Sequence, residues 1–249
     1  MATSRVALVT GASGGIGRSI AVAFGGLGWT VGLGARRMDA LEETAKLVED
    51  AGGRAIAQAL DLTDTASIDA CCGALGSIDV LVNNAGIAFP GPAYEMEDAD
   101  HRLIIETNLL GTILVTKRVV AAQVAAGSEG DIVFISSDSV VHPRPHMATY
   151  MATKAALETF ARTLALELEG TATRSTIVRV GPTIGTAFGD SWDPAVFEDL
   201  IPYWQRFGAQ RHWGVLQPED VAAVVVHAVS TPRGAHVSEI EVLPPAPLS

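Results

Sequence analysis

Apolar residues come in short runs along this chain, each closed by glycine, proline or a polar cluster. The runs RVALVT (5–10), TVGLGA (30–35), RAIAQAL (54–60), IDVLVN (78–83), DIVFIS (131–136), STIVRV (175–180) and SEIEVL (238–243) are mostly continuous and rich in Val and Ile. Strands covered on both faces read this way. Between them, helical patterns run over residues 16–27, 38–51, 65–75, 97–126, 148–169 and 218–230. Asp39 is placed to cap the second helix and Gly52 and Gly53 to end it. Pro218 stands where the last helix starts, a position whose N–H has no helical partner to lose. Strand and helix alternate throughout. The order predicts an α/β fold, a doubly wound seven-stranded parallel sheet with helices on both faces, in one domain over residues 1–249.

One stretch breaks the rhythm. Residues 183–216 read as irregular, yet they hold Phe188, Trp192, Phe197, Tyr203, Trp204, Phe207 and Trp213, seven of the chain's fourteen aromatic residues. Long irregular insertions in compact domains often serve function, so this segment is expected to lie over a pocket as a substrate loop.

Composition narrows the partners. Of 249 residues, 48% are apolar, enough for a sizeable core. No apolar run reads as long enough to span a membrane, and no secretory leader precedes the first strand. The formal charge of −11 is spread along the chain, which argues against nucleic acid as a partner. Cys71 and Cys72 are adjacent and read as reduced helix residues, neither a disulfide nor a metal site. A cytoplasmic protein that takes a small molecule is the expectation.

The candidate chemistry lies in the breaks between elements. TGASGGIG, residues 10–17, follows the first strand and opens the first helix. Glycines there permit a tight turn and let backbone approach a pyrophosphate, while the helix start offers free N–H groups. The second strand ends in GARR, with Arg36 and Arg37 and no acid before Asp39. A carboxylate near this point holds the ribose hydroxyls of NAD, whereas arginine suits the 2′-phosphate of NADP. NADP is therefore favoured over NAD. In YMATK, Tyr150 and Lys154 are four apart at a helix start and share one face. A neighbouring ammonium stabilises phenolate, which would let the tyrosine exchange protons nearer neutral pH.

Taken together, these stretches resemble the short-chain dehydrogenase/reductase family over nearly the whole chain. The resemblance rests on Thr10-Gly11-x-x-x-Gly15-Ile16-Gly17, Asp61 after the third strand, NNAG at 83–86, Asn108 in TNLLG, Ser137 thirteen residues before the tyrosine, and Tyr150-x-x-x-Lys154. It implies hydride transfer between a nicotinamide cofactor and a ketone or aldehyde, or the matching alcohol, in a homodimer or homotetramer. By the same resemblance, Ser137 holds the substrate oxygen and Tyr150 moves its proton. Lys154 holds the nicotinamide ribose and depresses the tyrosine pKa, and Asn108 holds a water behind the lysine. The cofactor would lie along Gly11, Ser13, Gly15, Ile16 and Gly17, then Arg36 and Arg37, Asp61 and Leu62, and Asn84, Ala85 and Gly86. Tyr150, Lys154, Ile184 and Thr186 would complete its site, with no metal. Asn83 is expected to stitch neighbouring strands.

The chain departs from the family pattern at three places. Gly181-Pro182 reverses the usual Pro-Gly, VLPPAPLS replaces an acidic-Gly-Gly segment, and Gly14 stands where some NADP-using members carry a basic residue. His142 and His146 flank PRP in the loop after Ser137 and read as turn residues, Ser136 and Ser139 as local hydrogen-bonding residues, and Asp138 as near the site. The aromatic segment suggests a mostly apolar substrate; a cationic one would follow only if Asp190, Asp193 and Glu198 faced the pocket. The alternative function is a cofactor-binding sensor or scaffold without turnover.

Overall fold

The computed structural model describes residues 5–186, 192, 194–208, 212 and 214–246, and gives the backbone alone for 194, 195 and 197. Seven strands form one parallel sheet: β1 (Val6–Thr10), β2 (Thr30–Ala35), β3 (Arg54–Ala59), β4 (Val80–Asn83), β5 (Gly130–Ser137), β6 (Thr173–Val180) and β7 (Glu239–Val242), in the order β3-β2-β1-β4-β5-β6-β7. The helices are α1 (Gly15–Gly26), α2 (Met38–Asp50), α3 (Thr65–Leu75), α4 (Asp98–Ile105), α5 (Thr112–Ala126), α6 (Ala148–Glu167), α7 (Pro194–Arg206) and α8 (Pro218–Ser230).

Side chains of a strand alternate between faces, and apolar residues at both parities build two cores. Ala7, Val9, Val31 and Leu33 pack with Ile20 and Phe24 of α1, Leu41 and Val48 of α2, and Val221 and Val225 of α8. On the other face Leu8, Leu81, Ile132, Phe134 and Ile177 meet Ile68 of α3, Val115 and Val119 of α5, and Leu157 and Leu164 of α6. Each of these buried valines, leucines, isoleucines and phenylalanines contributes about 2 kcal/mol against exposure.

The chain reverses direction across the sheet between β1 and β4. In open α/β sheets the crevice at such a switch point, beyond the carboxyl ends of the strands, is where ligands bind. The opposite edge is closed by ions. Asp131, at the start of β5, accepts from Arg174 at 2.8 Å, from Arg233 at 3.0 Å and from Arg5, so one buried carboxylate ties together the amino ends of β1, β5 and β6.

Several expectations change. Arg37, not Asp39, stands at the N-cap position of α2, and no side chain caps the helix there; Asp39 lies inside the first turn, where a carboxylate still suits the positive helix end. The helix expected over 97–126 is interrupted by a π-helical turn, Glu106–Gly111. Joined through that turn, Asp98–Ala126 is long and apolar enough by composition to cross a membrane, contrary to the sequence reading. In this fold one side of it is buried: Val115 and Val119 pack on the sheet, and Ile104 is fully enclosed. The stretch 183–216 is not wholly irregular, since α7 lies within it. Phe188, Asp190, Asp193, Trp213 and the Phe197 side chain fall outside the described residues. Pro218 opens α8 as expected, reinforced by a reciprocal cap between Gln217 and Asp220.

Candidate active site

The glycine turn follows β1 directly. Gly11 and Gly15 have φ of +69° and +52°, values an L side chain rarely adopts. A Cβ on Gly17 would stand against the Gly11 carbonyl oxygen and 2.6 Å from the Asn84 amide nitrogen, and one on Gly15 would come within 3.0 Å of Thr186 Cα. The turn is thus packed backbone to backbone, with Ile16 tucked against the core beneath it. Thr186 lies beside the turn, and Ile184 is anchored nearby, its N–H donating to the Leu216 carbonyl at 3.0 Å. The reversed Gly181-Pro182 pair is accommodated: Gly181 N–H donates to Val242 and Pro182 accepts from Leu216.

Arg37 leans over the same turn, its Nη2 3.4 Å from Ser13 Oγ. Arg36 is exposed beside it and acts on Asp61, whose carboxyl is held below the usual range by hydrogen bonds from the Thr63 hydroxyl and N–H, at 2.7 and 2.9 Å. Leu62 is buried, its backbone packed on Gly111 of the π turn. Arg18, the other basic side chain here, is already bonded to the Ser13 carbonyl and to Glu43.

At the end of β4 the roles of the two asparagines differ from expectation. Asn84 does the stitching: its Nδ2 donates to the Thr10 carbonyl at 2.9 Å, and the N–H groups of Asn84 and Ala85 both reach Thr10 Oγ1. Asn83 instead points to a helix, donating to Thr116 Oγ1 of α5 at 3.0 Å. Gly86 follows, where a Cβ would lie 3.5 Å from Asn108 Oδ1 and 3.6 Å from Lys154 Nζ.

Asn108 sits fully buried on the π turn. Its side chain is engaged with the Ile87 backbone, accepting from N–H and donating to C=O, both at 2.8 Å. The amide therefore fixes the segment after β4, and its Nδ2 also reaches Thr153 Oγ1 of α6 at 3.3 Å. Turns of π type recur at functional sites because the extra residue re-aims side chains and carbonyls.

Ser137 closes β5, and α6 brings Tyr150 and Lys154 to it. Ser137 Oγ takes the Ser139 N–H at 3.2 Å and the Ser139 hydroxyl at 2.8 Å, and shares a hydrogen bond with Tyr150. Lys154 is 5% exposed and donates to the Ile135 carbonyl at 2.8 Å. Burial lowers its pKa to about 8. Burial also raises Tyr150 to about 12, against the Ser137 hydrogen bond and the Arg144 charge. Burial thus works against the depression expected from lysine. The ammonium lies 5.7 Å from the centre of the phenol ring, and desolvation of the hydroxyl outweighs it.

Sequence reasoning placed Asp138 near the site but missed Arg144 and Glu158. Asp138 is paired to Arg144 by two 2.7 Å bonds, so it is a buried ion-pair member and not an open substrate contact. Glu158, one turn beyond Lys154, accepts from Ser136 at 2.7 Å and from Arg162 and Arg179. Ser136 is therefore a tie between β5 and α6. The spacing Tyr150, Lys154, Glu158 at successive fours was the available signal.

Over this end of the sheet lies a third apolar cluster: Ala88, Met147, Leu200 and Trp204, with Tyr150, Met151 and Trp192 against it. The indoles of Trp192 and Trp204 donate to the Ala88 and Pro145 carbonyls, each at 3.0 Å. His146 has φ of +69°, and its ring lies beside Tyr203; His142 and Glu198 are exposed.

The close-packed glycine turn, the helix start behind it and the paired arginines suit a dinucleotide with an extra phosphate. The comparisons with known proteins agree. A family profile described as short chain dehydrogenase matches residues 5–195. Sulfoacetaldehyde reductase 2 of Chromohalobacter salexigens is 31% identical, covering 97% of this chain and 94% of that protein. Glycine betaine reductase of Emericella nidulans is 32% identical over 97% of this chain, which spans only 19% of that longer protein. A solved structure of a variant actinorhodin polyketide ketoreductase with NADPH superposes with a TM-score of 0.83 at 32% identity, covering 98% of each chain. The cofactor is accordingly a nicotinamide dinucleotide, and the chain belongs to the short-chain dehydrogenase/reductase family of oxidoreductases.

Proposed function

We propose that the chain is an NADPH-preferring reductase of a ketone or aldehyde, working also as the alcohol dehydrogenase in reverse. The observation that carries this reading is the hydrogen-bonded pair of hydroxyls, Ser137 and Tyr150, at the end of β5, with the Lys154 ammonium fixed beside the ring. The bound cofactor supplies or accepts the hydride. Ser137 donates to the carbonyl oxygen, where negative charge grows during reduction. Tyr150 delivers the proton that completes the alcohol, and in the reverse direction it must lose that proton. Lys154 holds the ribose side of the cofactor and adds positive charge near the phenol.

The preference for NADP is supported by Arg37 over the glycine turn, Arg36 beside it, and the absence of an acid at the end of β2. Gly11, Ser13, Gly15, Ile16 and Gly17 would carry the pyrophosphate, Asp61 and Leu62 the adenine, and Asn84, Ala85 and Gly86 the adenosine side. Ile184 and Thr186 would meet the nicotinamide carboxamide and phosphates. The apolar cluster over Tyr150 supports a mostly apolar substrate, with the 183–216 segment as its substrate loop. Exposed Ile105, Leu110 and Val124 on the 98–126 helix and Leu166 on α6 support pairing of copies into a homodimer or homotetramer. The free cysteines support a cytoplasmic setting.

The test is the decay of nicotinamide absorbance with NADPH and NADH separately, against a panel of ketones and aldehydes, with Tyr150→Phe alongside. Turnover with NADPH that vanishes in the variant is the expected result. Tight NADPH binding with no turnover in either direction would overturn the reading and favour a cofactor-binding scaffold.

A further inference from the structure

The segment from Ser137 to Tyr150 doubles back so that Arg144 returns to Asp138. The side chains of Asp138 and Arg144 are only 8% and 10% exposed. The guanidinium fork meets the carboxylate in two parallel 2.7 Å bonds, the strongest geometry available to such a pair. Burying two charges is costly, so a pair placed beside reacting groups calls for a reason.

The neighbours supply one. Ser137 Oγ donates only a long, 3.4 Å hydrogen bond to Asp138 Oδ1, the oxygen that Arg144 Nη1 holds at 2.7 Å. Ser137 is hydrogen-bonded to Tyr150, and the Arg144 N–H reaches the sulfur of Met151, the residue after Tyr150, at 3.3 Å. The Arg144 guanidinium lies 5.9 Å from the ring of Trp204 on α7, which in turn bonds the Pro145 carbonyl. A serine hydroxyl has a single proton to give. Ser139 offers its N–H and its hydroxyl to Ser137 Oγ, which leaves the Ser137 proton directed to Asp138, Tyr150 or a substrate oxygen. An unclamped carboxylate is a strong charged acceptor and would draw that hydroxyl into a shorter hydrogen bond, away from the substrate.

We propose that Asp138 and Arg144 are a positioning pair for the reaction: Arg144 clamps both carboxylate oxygens, so that Ser137 keeps its proton for the substrate and the charges beside Tyr150 balance. This rests on the reading of Ser137 and Tyr150 as the groups that serve the substrate oxygen. Among the described residues, the charged groups around Tyr150 are Lys154 from its own helix and Asp138 and Arg144 from the preceding segment. The π turn brings the neutral Asn108, α4 brings His101 to Thr149, and α7 brings Trp204.

The two partners make opposite predictions. Arg144→Met leaves a bare carboxylate: kcat/KM falls about 100-fold, and the rising limb of the pH profile for alcohol oxidation moves up by about one pH unit. Asp138→Asn leaves a bare cation, and that limb moves down by about one pH unit. The double variant, with neither charge, returns to within about tenfold of the wild-type rate and to the wild-type limb. Thermal unfolding and NADPH binding establish that each variant is folded. Ultraviolet titration of the Tyr150 phenolate, taken as the difference from a Tyr150→Phe background, reads the same shifts without turnover. It therefore answers even if no carbonyl is reduced and the proposed function fails. Should Arg144→Met not fold, Arg144→Lys keeps the charge and loses the fork: its titration stays near wild type while its rate falls. A double variant as impaired as Arg144→Met, or titrations of the two single variants that move together or not at all, overturns the proposal.

Discussion

The two halves of the site are built in opposite ways. Around β1, β2 and β4 the proposed cofactor side is made by leaving side chains out, with Gly11, Gly15 and Gly17 letting backbone pack on backbone. Around β5 and α6 the catalytic side is made by putting polar side chains in: Ser137, Asp138, Lys154 and Glu158 are all buried, and each has a partner. A region built on absence is harmed by addition, and a region built on buried polar groups is harmed by deletion.

The largest effect is expected from a deletion. Tyr150→Phe keeps the ring and removes one oxygen, and should lower kcat by about 1,000-fold or more while leaving NADPH affinity within about twofold. If steady-state assays show only a few-fold loss, the catalytic side does not depend on its polar groups as described. The next effect comes from an addition. Gly17→Ala sets a methyl group against the Gly11 carbonyl oxygen, with an expected cost of about 3 kcal/mol in denaturant unfolding and loss of NADPH binding by fluorescence. A stable variant that still binds would show that the turn has room to relax.

Smaller still is Arg37→Ala. It should raise the KM for NADPH about tenfold and leave that for NADH nearly unchanged, which separates a phosphate contact from general damage. The finest test uses acid. Burial tends to raise the Glu158 carboxyl, yet hydrogen bonds from Arg179, Ser136 and Arg162 hold it below its ordinary 4.5. Its folded-state value is depressed, so its contribution is complete above about pH 4.5 and is lost as pH falls through the folded-state value. Wild-type Tm should therefore drop more steeply below that pH than the Tm of Glu158→Gln. In hydrogen exchange, α6 should lose protection in acid before β1 and β2 do. Parallel acid curves for the two proteins would remove Glu158 from the account.

Much of the cofactor side was legible because glycine spacing and a missing acid are local facts. All seven strands were too, since continuous Val- and Ile-rich runs have few other uses. The catalytic side was legible only in its motif residues. That Asn108 would be bound to Ile87, 21 positions earlier, depends on how the chain folds and has no local signature. The Asp138–Arg144 pair was hidden by the prolines of PRP, which read as a plain turn. Helix α7 was missed because Pro202, which lies inside it, reads as a helix breaker, although Val196, Leu200 and Trp204 recur at helical spacing. The burial of Tyr150 had no local signature either, since the sequence reveals its neighbour Lys154 but not its desolvation.

An all-parallel sheet also gives the molecule a direction. Each strand starts at the edge where Asp131 gathers Arg5, Arg174 and Arg233, and the strands that frame the crevice end beside it. For anyone wishing to fasten the enzyme to a surface, those two edges are not equivalent. A linker attached at the exposed turn near Arg233 leaves the crevice facing the solution, whereas one near Val141 or His142 stands in the substrate's way.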